Sequence, residues 1–77
     1  MKSATVHLYA NGTQAWLGAK QPKPLKTDTT RWHDVRRVMS NYGWTLIELV
    51  QHRVTMYSEK DVLEYTLIFI LYPPKEA

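Results

Sequence analysis

Seventy-seven residues leave room for one domain around one small core, a size at which burial only just supports independent folding and self-association is one way to bury more. The absence of cysteine excludes disulfides and thiolate metal sites, and the longest apolar run, Leu67 to Tyr72, is far too short to cross a bilayer. The net charge of +3 is unevenly spread, with seven Lys or Arg against two Asp in residues 1–40 and three against five acids in residues 41–77.

That asymmetry suits an anionic partner or head-to-tail association, although a plain solvated surface accounts for it as well. Met1-Lys2-Ser3 leads into mixed polar sequence and not into a secretory signal, so a cytoplasmic protein is expected. The expected domain is a single unit over residues 1–77.

Residues 5–17 read as a hairpin, with TVHLYA and TQAWLG on either side of Asn11-Gly12. Asn-Gly favours a two-residue type I′ turn. Under that turn Val6, Leu8, Ala10, Ala15 and Leu17 share an aliphatic face, and His7, Tyr9 and Trp16 share the other. Residues 18–28 follow as a loop. Pro22 and Pro24 cannot donate ladder hydrogen bonds, and Lys20, Lys23 and Lys26 make the loop basic. It reads as a solvated connector or, alternatively, as an arm for an anion or an acidic protein surface.

Residues 29–42 read as the helix, with Asp28, Thr29 or Thr30 as N-cap and Gly43 at the C′ position. Trp32, Val35, Val38 or Met39, and Tyr42 fall on one stripe, leaving Arg31, Asp34, Arg37 and Asn41 outside and Arg36 at the border. Residues 44–72 form the C-terminal ribbon, turning at Ser58-Glu59-Lys60-Asp61. The alternation in its first strand slips parity, which predicts a β-bulge or bend near Leu49-Val50. Its second strand is apolar on both faces: Leu63, Tyr65, Leu67, Phe69 and Leu71 on one, Ile68, Ile70 and Tyr72 on the other. That pattern predicts burial on both sides, and Pro73-Pro74 ends it.

The expected fold is α+β, a four-stranded mainly antiparallel sheet with one helix on one face, in the order β-β-α-β-β. One helix cannot cover two faces. The uncovered face is expected to carry Ile68, Ile70, Tyr72 and the His7/Tyr9/Trp16 row, an apolar patch larger than a lone soluble chain normally exposes. Trp32, Trp44, Leu67 and Phe69 are expected in the core.

The segments RWHDVRRVMSNYGWTLIELV and EYTLIFILYPP, about residues 31–74, resemble a small bacterial and phage family of unknown function. Its pattern is a helix, a Gly-Trp-Glu-Leu-Val-like step, and a strand ending in aromatics and proline. Here the step is Gly43-Trp44-Thr45-Leu46-Ile47, with threonine in place of the acid. The resemblance implies the order of elements and no active site, and it leaves the hairpin and the Lys/Pro loop unexplained.

Catalytic chemistry finds little to work with. His7, His33 and His52 lack metal-ligand spacing. Ser3, Ser40 and Ser58 have no nucleophile context, and the three glycines are isolated, with no phosphate loop. Glu48 and Glu64 could face cations across strands. No enzyme activity, metal or cofactor is expected, and no membrane association. The expected function is a non-enzymatic protein-binding module, of the kind a phage or mobile element uses to inhibit a host protein or defence complex. Its contact would be Tyr9, Trp16, Ile68, Ile70 and Tyr72, with Lys20, Lys23, Lys26, Arg36 and Arg37 as basic partners. The chain itself, as a homodimer, and a second protein are the expected partners. The alternative is single-stranded nucleic acid or a nucleotide bound on an aromatic and basic sheet face.

Overall fold

The computed structural model describes residues 1–25, 31–55 and 61–72. Lys26, the capping candidates Asp28, Thr29 and Thr30, Met56, the turn at 58–60 and Pro73-Pro74 lie outside the described residues. The elements are β1 (Lys2–Leu8), β2 (Gln14–Leu17), α1 (Trp32–Asn41), β3 (Trp44–Thr55) and β4 (Asp61–Leu71). The strands form one antiparallel sheet ordered β2-β1-β4-β3, with α1 on one face and lying chiefly against β3.

β4 occupies the sheet interior because both of its neighbours need its apolar sides. Val6 pairs with Leu67 and Ala4 with Phe69, and these four side chains are buried together with Leu8 of β1 and with Val35 and Met39 of the helix. Trp32, Trp44, Leu46, Leu49 and Tyr65 pack around them, half-buried. Only one side of β4 is buried in this way. Ile68 and Ile70 point to the opposite face and keep partial solvent contact, so the expected burial on both sides is not met within one chain.

The hairpin differs from expectation by one residue, with a large effect. The Tyr9 N–H donates to the Thr13 carbonyl (3.0 Å) and the Gly12 N–H donates to the Tyr9 carbonyl (3.0 Å). The loop is therefore the three residues Ala10-Asn11-Gly12, with Gly12 at φ 89°, the arrangement of a turn followed by a left-handed residue. The Asn11 Oδ1 accepts from both the N–H (3.0 Å) and the hydroxyl (2.6 Å) of Thr13, which holds the loop in this form. A one-residue change of register moves every side chain of the returning strand to the other face. Val6 thus pairs with Trp16, and Leu17 pairs with Thr5. Trp16 packs against the core, its indole N–H donating to Gln14 Oε1 (3.1 Å). Leu17 is 69% exposed on the open face. The expected grouping of Trp16 with His7 and Tyr9 is corrected accordingly.

Two further boundaries move. The bulge lies between Leu46 and Glu48, with Ile47 as the extra residue, and not at Leu49-Val50. This keeps Leu46 and Leu49 on the core side across the parity change. The helix N-cap is Arg31, without a side-chain capping bond, as follows from a guanidinium that has no acceptor. At the other end Gly43 is C′, as expected, its N–H bonded to the Ser40 carbonyl. Tyr42, however, falls off the buried stripe and is 54% exposed.

The proline loop is part of the cover. Leu25 is buried in the core and Ala19 packs against it. Gln21 Nε2 donates to Gln14 Oε1 (3.2 Å) and to the Leu25 carbonyl (3.3 Å). The loop therefore roofs the β1–β2 side of the core while α1 roofs the β3 side. Gly18 makes the crossing possible. At φ +91° it passes so close to β1 that an added Cβ would lie 2.6 Å from the Ser3 carbonyl oxygen.

Trp16→Ala should lower unfolding free energy by about 2–3 kcal/mol, less than a fully buried Trp because the ring is half-buried. Leu17→Ala should change it by less than about 0.5 kcal/mol. Urea unfolding of the two variants checks the register directly, since the two-residue turn would reverse the order. Gly18→Ala should cost more than about 1 kcal/mol in the same assay.

Candidate interaction surface

The face of the sheet away from α1 has no covering element among the described residues. Strand register assigns its side chains. β4 contributes Val62, Glu64, Thr66, Ile68 and Ile70, and β1 contributes Ser3, Thr5 and His7. β3 contributes Thr45, Glu48, Val50, His52 and Val54, and β2 contributes Ala15 and Leu17. Tyr9 stands beside His7, ring centroids 6.4 Å apart at 26°. Tyr9 is 40% exposed, and Tyr72, just beyond β4, is 58% exposed.

The face divides along β4. Toward Tyr72 it is apolar, with Ile68, Ile70 and Leu17 at its centre and Ile47 at the bulge. Toward the ribbon end a polar row crosses the sheet, with Val54 and Val62 beyond it. His7 Nδ1 and His52 Nε2 both lie within hydrogen-bond distance of Thr66 Oγ1, at 3.1 and 3.2 Å. A hydroxyl has one proton to give and can accept from a second donor. With both rings neutral, the bridge is complete when Thr66 donates to one ring and accepts from the other. Glu64 sits beside this bridge, paired in register with His52, and its Oε2 accepts the Ala10 N–H at 3.0 Å. That bond ties the β1–β2 loop to the ribbon.

This grouping was not legible in the sequence. The two histidines are neighbours only because β4 lies between β1 and β3, and order along the chain does not reveal order across the sheet. The expectation that Glu48 and Glu64 face cations across strands is not met. Both lie on the open face, which has no Lys or Arg among the described residues.

The expected basic residues lie on the other side of the molecule. Lys20 and Lys23 line a groove of about 380 Å³ with Gln21, Pro22, Met39, Tyr42 and Trp44, where the proline loop meets the end of α1. Arg36 and Arg37 are exposed on α1, and Arg37 pairs with Asp34 at 3.5 Å. Of the expected contact residues, the structure thus brings Tyr9, Ile68, Ile70 and Tyr72 onto one face. It removes Trp16 to the core side and separates the whole set from Lys20, Lys23, Arg36 and Arg37 by the thickness of the sheet.

No group of three or more His, Asp or Glu able to hold a metal ion occurs among the described residues, and no helix there is long and apolar enough to cross a membrane. Comparison with protein-family models, with curated proteins and with solved structures returns no match to this chain.

Thr66→Val removes the one partner that both rings share while keeping shape and the strand. It should cost about 1 kcal/mol of stability, the net worth of a typical hydrogen bond. It should also abolish any imidazole N–H signal protected from water in the proton spectrum. Persistence of that signal in the variant would show that the bridge does not order the rings.

Proposed function

We propose that this chain is a non-enzymatic protein-binding module whose contact surface is the open sheet face. The observation that carries the reading is the apolar area around Ile68, Ile70 and Leu17, opposite a face that already has its helix and loop. A central strand with apolar side chains on both sides gains from burying both, at about 25 cal/mol per Å² of apolar surface removed from water. Tyr9 and Tyr72 flank the area as rigid anchors of low conformational cost, the residue type that dominates contact energetics. Acting by occupancy alone, such a module would work as a small inhibitor does, by covering a surface that its partner needs.

The groove between the proline loop and α1 supports a second reading, the binding of a nucleotide or single-stranded nucleic acid. There Lys20 and Lys23 stand beside the exposed ring of Tyr42 and the half-buried ring of Trp44, the pairing of cations with stacking surfaces that such ligands use. The open face supports it less, since its described side chains include two carboxylates and no Lys or Arg.

Ile68→Ser with Ile70→Ser should leave the monomer folded and remove association with candidate partners, read as sedimentation mass. The loss should persist at high salt, because an apolar contact is not screened. Lys20→Gln with Lys23→Gln should leave that association unchanged. If the lysine pair and not the isoleucine pair abolishes binding, and the binding is to an oligonucleotide and falls steeply with salt, the groove is the functional site.

A further inference from the structure

Resting on the reading of the open face as a contact surface, we infer that it accepts a partner surface, apolar at its centre and cationic at its rim. The first argument is charge. Among the described residues the titratable groups on this face are His7 and Tyr9 from β1 and the loop after it, Glu64 from β4, and Glu48 and His52 from β3, with Tyr72 just beyond β4. β2 contributes none, and α1 and the proline loop are on the far side. The carboxylates of Glu48 and Glu64 are the formal charges that Asp, Glu, Lys and Arg bring to this face among the described residues, both negative. Among the described residues the helix side carries Lys or Arg at positions 2, 20, 23, 31, 36, 37 and 53 against Asp34. A second copy stacked face to face would bring four carboxylates together, and like charges placed together at a contact are costly. Lys or Arg at the rim of another protein meets those same carboxylates favourably.

The second argument is shape and chemistry at the centre. The opposite face of the same sheet shows what such a surface holds, an amphipathic helix laid across apolar side chains, so an amphipathic helix with basic flanks is the matching form. The polar row of His7, Thr66 and His52 borders that seat.

The test uses the isotope-labelled full chain and two short amphipathic helical peptides, one of leucine and lysine, the other with glutamate for each lysine. Amide shifts are mapped at pH 7.5. The lysine peptide should shift amides around Ile68, Ile70 and Thr66, bind about tenfold or more tightly than the glutamate peptide, and weaken in Glu48→Gln with Glu64→Gln. Glu64→Gln retains a side-chain carbonyl as acceptor for the Ala10 N–H, so this variant should fold. If both peptides bind this face equally, the contact surface stands and the cationic inference falls. If neither peptide binds, or the shifts map to the helix side, the inference is overturned. A dimer of the chain alone with open-face amides protected at pH 7.5 also overturns it and assigns the face to a second copy.

Discussion

The antiparallel pairing of β1 with β4 joins residues distant in sequence, such as His7 and Thr66, 59 positions apart along the chain, and every other placement depends on it. It sets Val6 against Leu67 and Ala4 against Phe69, which makes the core. It leaves each hairpin partner, β2 and β3, at an edge. On the other face the same register brings His7 to Thr66 and the Ala10 amide to Glu64. Shifting it by one residue would turn Ile68 and Ile70 inward and Leu67 and Phe69 to water. The large apolar side chains on both faces of β4 penalise that exchange only because α1 and the loop provide a dry cover on one side alone.

Local chemistry made much of this legible. Alternation marked the strands, the three- and four-residue spacing marked α1, and Gly43 marked its end. What local signals could not supply were choices settled by partners at a distance. Asn11-Gly12 is equally at home in a two- or a three-residue loop, and the indole of Trp16 gains more from the core than a two-residue turn would allow. Leu46 and Leu49 both need the core side, and a bulge at Ile47 satisfies them; the sequence shows the parity change without fixing where the extra residue sits. Thr29 and Thr30 are better capping residues than Arg31, yet α1 begins after Arg31. The contact surface suffered most, because grouping Tyr9 and Trp16 with the loop lysines required knowing both the register and the side on which the loop crosses.

That crossing also explains the split in charge. Gly18 carries the chain over Ser3 to the helix side, and with it go Lys20 and Lys23. The cations end beside Tyr42, Trp44 and the arginines of α1, while the open face retains Glu48 and Glu64. A basic protein by composition therefore presents two unlike surfaces, and its net charge describes neither. Steering by the whole-molecule field and selection at the contact are separate steps, and here they involve opposite sides of one sheet.

Because β4 supplies a neighbour to both β1 and β3, its removal leaves both without that pairing. A hairpin of β1 and β2 alone is marginal in water, and β3 without β4 has no partner at all. During synthesis the strand that completes the core emerges after everything it must join, so Val6, Leu8 and Trp16 wait in contact with water until then. Non-local pairing of this kind slows folding at a given stability. A chain interrupted within β4 would thus leave the apolar side of the hairpin without the strand that covers it.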